Sequence, residues 1–71
     1  MIADMLEMRD SMENAISWTY VESEGEDVTR FDWGNRSVWI YKWGDIDGIE
    51  SFPKAYQKRI KSVVSHFNKE Q

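Results

Sequence analysis

Apolar positions along the chain recur with two different periods. From Ile2 to Ile16, at about 100° per residue, Met1, Met5, Met8, Met12, Ala15 and Ile16 fall on one face. Ile2 and Leu6 widen it, and Asp4, Glu7, Asp10, Ser11 and Asn14 lie opposite. That spacing predicts a helix whose early acids suit the positive end of its dipole. A methionine stripe can serve as an adaptable binding surface, but helical spacing of this kind marks a core face. The period then changes to two. Ser17 to Glu22 (SWTYVE), Val28 to Trp33 (VTRFDW) and Ser37 to Trp43 (SVWIYKW) alternate and are rich in β-branched and aromatic residues, which predicts three strands.

The breaks between these runs are short. Ser23 to Asp27 (SEGED) is a polar turn, and Gly34-Asn35-Arg36 offers residues that tolerate positive φ. Such connections predict an antiparallel meander. From Ser51 or Phe52 to Asn68 the helical period returns. Pro53 belongs in the first turn, where its missing N–H costs nothing. Phe52, Tyr56, Ile60, Val63, Val64 and Phe67 form an apolar stripe, and Lys54, Lys58, Lys61, Ser65 and Lys69 form the opposite face. The expected fold is α+β, one domain over residues 1–71: a helix, a three-stranded antiparallel β-meander and a helix (α-β-β-β-α), both helices on one sheet face.

The aromatic residues sharpen this picture. Five of the ten (four Trp, three Tyr, three Phe) fall between Phe31 and Trp43. In the third strand, alternation places Val38, Ile40 and Lys42 on one face and Trp39, Tyr41 and Trp43 on the other. Trp18 and Tyr20 likewise share a face. Two helices cover one side of a three-stranded sheet. Either the aromatic side stays open or it forms the core and Val38, Ile40 and Val21 face outward. Both arrangements leave apolar surface exposed, which favours a partner or self-association.

The chain lacks cysteine, so thiolate chemistry and disulfides are excluded, and the composition fits a reducing cytoplasm. No apolar run approaches the roughly 20 residues of a membrane span, and the acidic start MIADMLEMRD does not read as a secretory signal. Catalysis is not expected. The one histidine, His66, sits at the rim of the second apolar stripe, near Arg59 in projection, with no base–orienter pair. Asp45-Ile46-Asp47-Gly48-Ile49-Glu50 opens like a calcium loop, but Glu50 comes too soon and helical flanks are missing, so it reads as an acidic turn before the helix. There is no phosphate-cradling glycine motif and no zinc ligand set, and no cofactor is expected.

Charge is unevenly placed. Residues 1–50 hold twelve acids and four bases, net −8. Residues 51–71 hold five bases and one acid, net +4, for the total of −4. Glu22, Glu24, Glu26 and Asp27 flank the first turn, and Asp45, Asp47 and Glu50 follow the third strand. In a meander these two places lie at one end of the sheet, with strands one and three about 10 Å apart. Seven carboxylates are therefore expected to converge beside the aromatic anchors Trp18, Tyr20, Trp39, Tyr41 and Trp43. An acidic rim around aromatic anchors suits a basic protein partner, and the commonest basic proteins handle nucleic acid. Two other readings stand beside this one: a homodimer formed through the aromatic sheet face, and direct nucleic-acid binding through the lysine face of the last helix, which the overall negative charge opposes.

The run EGEDVTRFDWGNRSVWI, Glu24 to Ile40, resembles hairpin segments of small acidic phage-encoded inhibitors of bacterial defence, the anti-CRISPR proteins. Shared features are an acidic turn, a strand, a short Gly/Asn turn and an apolar strand, and the likeness covers about a quarter of the chain. The resemblance implies a stoichiometric, non-catalytic inhibitor that occupies a nucleic-acid-binding groove, sometimes by imitating phosphate charge. The modest net charge and the basic last helix depart from an extreme DNA mimic.

Overall fold

Asp4 starts the first helix. Its side-chain Oδ1 accepts the Glu7 N–H at 3.1 Å, which satisfies one of the donors a helix leaves free at its beginning. The computed structural model describes residue 2 and residues 4–69, with the Lys69 side chain outside the description. The places read for Met1 on the first stripe and for Lys69 on the lysine face lie outside the described residues. Helix α1 runs Met5–Ala15 and ends where Ile16 turns extended (φ −139°), its N–H returning to the Met12 carbonyl at 3.1 Å. Met8, Met12 and Ile16 are buried as the stripe predicts. Leu6 is not part of that face: it is 70% exposed and points to solvent.

Four strands follow, β1 Tyr20–Ser23, β2 Val28–Trp33, β3 Arg36–Tyr41 and β4 Ile46–Asp47, joined in order as an antiparallel sheet. The expectation of three strands is corrected to four. β4 is two residues long, too short to show alternation, and it lies in the run read as an acidic turn. It forms because the chain reverses at Lys42 to Gly44, where Gly44 N–H donates to the Tyr41 carbonyl and Tyr41 N–H to the Asp45 carbonyl, each at 2.9 Å. The β2–β3 hairpin turns on Gly34 and Asn35. Only Gly34 uses positive φ (+64°), as a glycine in the first central position of a two-residue turn does.

A 3₁₀ turn, Ile49–Ser51, leads to helix α2, Lys54–Lys69. Pro53 stands immediately before the helix. Its carbonyl accepts the N–H groups of Tyr56 and Gln57, each at 3.0 Å, so the ring contributes at the threshold where a missing donor is harmless.

Both helices pack on the same face of the sheet. Phe31, Val38, Ile40 and Thr29 on that face are buried with Met8, Met12, Ile60 and Val64. The choice left open by alternation is thus decided: Val38 and Ile40 face the core, and Trp39 and Tyr41 lie on the uncovered side. The core recruits aromatics of its own. Trp18 packs at 5.1 Å from Phe31 and 5.9 Å from Phe52, and Trp33 lies 6.1 Å from Phe52 and 4.5 Å from Tyr56, centroid to centroid. The concentration of large rings between Phe31 and Trp43 therefore serves two surfaces. Phe31 and Trp33 build the core, while Trp39 and Tyr41 stand on the opposite side of the same hairpin.

Candidate functional site: an open aromatic sheet face

Strand register assembles this face. Glu22 pairs with Arg30, Arg30 with Trp39 and Trp39 with Asp47, so these four side chains form one row across all four strands. Tyr20, Asp32 and Ser37 form the adjoining row, and Tyr41 stands opposite Val28. Neither helix covers this side.

Arg30 sits at the centre. Its Nη2 donates to Glu22 Oε2 at 3.0 Å and its Nη1 to Glu24 Oε1 at 2.8 Å. The guanidinium carbon lies 5.5 Å from the centre of the Tyr20 ring. Its buried Nε lies 3.5 Å from Asp32 Oδ2, an electrostatic contact rather than a hydrogen bond. Asp32 Oδ1 meanwhile accepts from Ser37 Oγ at 2.6 Å. The second oxygen of Glu24 accepts from Trp39 Nε1 at 3.1 Å. One arginine thus gathers three carboxylates, and one of those carboxylates orients the central tryptophan.

Gly48 fixes Trp39 from the other side. Its φ is +84°, and a Cβ placed there would lie 2.7 Å from the Ser37 carbonyl oxygen and 3.2 Å from the Trp39 ring. Glycine lets the backbone run close under the indole. Tyr41 stacks on Trp43 with ring centres 5.1 Å apart and planes at 23°. Trp43 Nε1 donates to Asp45 Oδ2 at 2.8 Å. Tyr20 and Trp43 are among the most exposed large apolar residues, at 50% and 45%.

The structure separates the residues that the sequence grouped. Tyr20, Trp39 and Tyr41 share the open face, and Trp43 adjoins it from the turn after β3. Trp18 does not belong there. β1 begins at Tyr20 rather than Ser17, so alternation does not extend back to Trp18. That ring turns into the core and its Nε1 donates to the Met12 carbonyl at 3.0 Å. The first turn and the exit of β3 do meet: Lys42 N–H donates to the Asp27 carbonyl at 2.8 Å, and Lys42 Nζ lies 2.7 Å from Asp27 Oδ1. That hydrogen bond and charge hold the Lys42 ammonium above its ordinary pKa. Glu50 is not at this end. β4 carries the chain back along β3, Gly48 abuts Ser37, and Ser51 offers its carbonyl to Arg36 Nε at 2.6 Å near the β2–β3 hairpin.

The other six carboxylates therefore divide. Glu22 and Glu24 are tied to Arg30, Asp27 to Lys42, and Asp45 to Trp43. Glu26 and Asp47 are exposed, carry no ion pair among the described residues, and remain available to an incoming cation. The central role of Arg30 was missed in the sequence. The signal for it was present, since the two-residue turn at Gly34 and Asn35 fixes the register that sets Arg30 opposite Trp39.

Elsewhere, His66 is exposed and its ring meets Phe67 edge-on at 5.2 Å. Lys54, Lys58 and Lys61 are exposed on α2 and, with Gln57, line a shallow groove of ≈ 190 Å³. Among the described residues, no helix is long and apolar enough to cross a membrane. Comparison with protein-family models, with curated proteins and with solved structures finds no match.

Proposed function

We propose that the protein is a non-catalytic inhibitor or regulator that docks on a basic, nucleic-acid-handling protein of the cytoplasm, in the manner of the phage anti-defence proteins its hairpin resembles. The observation that carries this reading is the open sheet face, where Trp39 and Tyr41 stand half-buried on the side away from the helices, beside Glu22, Glu24 and Asp47. Aromatic rings held in place by hydrogen bonds and stacking lose little freedom on binding, which suits anchors. Around Arg30, the acids Glu22, Glu24, Asp32 and Asp47 leave a local excess of negative charge, three more acids than bases. That excess favours approach by a cationic surface. The basic side of α2 lies across the core from this face, so it does not cancel the field there.

The test is affinity capture from host lysate with three baits: the wild-type protein, Trp39→Lys, and Glu26→Lys combined with Asp47→Lys. Circular dichroism first establishes that all three are folded. The reading expects a basic nucleic-acid-binding protein retained by the wild type, lost with Trp39→Lys and reduced with the charge reversals. Equal retention by all three baits, or gel-shift binding of bare DNA or RNA that depends on Lys54, Lys58 and Lys61, would remove it.

A further inference from the structure

The outer edge of β1 carries a second recognition device. β1 ends the sheet, with β2 on one side and, among the described residues, no strand on the other. The ladder alternates, and Glu24 N–H donates inward to the Val28 carbonyl at 2.9 Å. Counting back in the antiparallel pattern, Tyr20 and Glu22 also face β2, so the N–H and C=O groups of Val21 and Ser23 point outward. A groove of ≈ 420 Å³ lies beside the Tyr20 and Val21 end of this edge, lined also by Arg9 and Glu13 of α1 and by Ser17, Trp18 and Thr19. Arg9 and Glu13 pair with each other at 3.4 Å.

We propose that this edge accepts an extended segment of the partner as a fifth strand, with alternating apolar and basic side chains. The proposal rests on the reading of a basic protein partner and names the part of it that is bound. Main-chain groups of Val21 and Ser23 supply the pairing, as edge strands do when they take up a peptide. Residues of the added strand opposite Val21 and Ser23 would project to the groove side, against Val21 and Trp18. Those opposite Tyr20 and Glu22 would project to the open face, where Glu22, Glu24 and Asp32 surround the single cation Arg30 and their net negative charge favours lysine or arginine. A second copy of the chain fits less well. The antiparallel register that uses both outward-facing residues pairs Val21 with Ser23 of the other copy and sets Glu22 against its own image, a destabilising like-charge pair.

The test uses a capped hexapeptide alternating lysine and valine, with a glutamate–valine peptide as the charge control, observed by amide NMR and hydrogen exchange. The lysine–valine peptide should shift the Val21 and Ser23 amides and slow their exchange. Ser23→Pro removes an outward N–H while leaving the inner ladder intact, and should weaken binding about tenfold, as loss of main-chain pairing does. Val21→Pro provides an independent second variant, and dispersed Trp18 and Phe31 resonances establish that each remains folded. The proposal is overturned if Val21 and Ser23 do not respond at millimolar peptide, if both proline variants bind as well as the wild type, or if the glutamate–valine peptide binds equally. Protection of these amides that grows with protein concentration alone would instead assign the edge to a second copy and overturn it. Responses confined to Trp39 and Tyr41 would sink the edge proposal while leaving the open-face reading in place.

Discussion

Glu24 and Trp39, 15 residues apart in the chain, are joined by a hydrogen bond of 3.1 Å from the indole Nε1 to one carboxylate oxygen, while the other oxygen holds Arg30 at 2.8 Å. The acidic turn is therefore an internal brace for the aromatic face as well as a source of charge. Replacing Glu24 with Ala should release the indole. The expected result is an upfield shift and faster exchange of the Trp39 Nε1 proton, with the Trp18 indole proton unchanged because its bond to Met12 is untouched. The stability loss should stay near or below about 1 kcal/mol, since these side chains are partly solvated. Equal movement of both indole protons would mean that Glu24 supports the whole fold.

Gly48 should be intolerant of any side chain. Gly48→Ala brings a Cβ to 2.7 Å from the Ser37 carbonyl, at a backbone φ of +84°. A loss of about 1–3 kcal/mol in urea unfolding is expected, from positive φ and displaced backbone together. Gly25→Ala, where the space is open and only φ (+101°) opposes the change, should cost less. If the two variants melt alike, the close approach under Trp39 contributes nothing.

Two apolar side chains on the helices should behave oppositely. Ile60 is fully buried and Leu6 is 70% exposed. Ile60→Ala should destabilise by about 2–5 kcal/mol, and Leu6→Ala should fall within about 0.5 kcal/mol of wild type. Chemical denaturation of both variants checks this. A large loss at Leu6 would restore it to the apolar face of α1.

The Lys42–Asp27 pair gives a pH dependence with a defined sign. The folded-state pKa of Lys42 is raised, so the pair's contribution is fully present below the unfolded lysine value and is lost as pH rises through the folded one. The melting temperature of wild type should exceed that of Asp27→Asn by a constant margin at neutral pH, and the margin should close in the alkaline range where lysine deprotonates. A margin that persists there would assign it to something other than the ion pair.

The two periodicities made much of the architecture legible. Helical spacing over Ile2 to Ile16 and Phe52 to Phe67, and alternation over Val28 to Trp33, predict both helices and β2. Alternation on β3 separated Val38 and Ile40 from Trp39 and Tyr41 but did not say which pair was inside. That required knowing that both helices lie on one face. The fourth strand escaped because two residues carry no period. Trp18 departs from the expected face because alternation begins only at Tyr20, and Ser17 to Thr19 leave α1 irregularly. Glu50 was misplaced for a related reason, since β4 reverses the chain before it arrives. Charge counting found the acids but not their internal partners. Arg30 and Lys42 hold Glu22, Glu24 and Asp27, and this leaves Glu26 and Asp47 as the carboxylates to reverse in a binding experiment.

The central claim is that the open sheet face meets a cationic partner, with charge guiding the encounter and Trp39 holding the complex. The most direct measurement is stopped-flow association and dissociation with the captured partner across a salt series. It compares wild type with Glu26→Lys/Asp47→Lys, Lys54→Glu/Lys58→Glu/Lys61→Glu and Trp39→Ala. Exposed charges are screened over about 8–10 Å near physiological salt. Wild-type association should therefore fall steeply with added salt, and the carboxylate reversals should slow association and flatten that dependence. The lysine reversals should change association little. Trp39→Ala should act on dissociation, costing about 2 kcal/mol or more in affinity. Equal sensitivity to both charge sets, or a larger effect from the lysines, together with an unchanged dissociation rate for Trp39→Ala, would contradict the account.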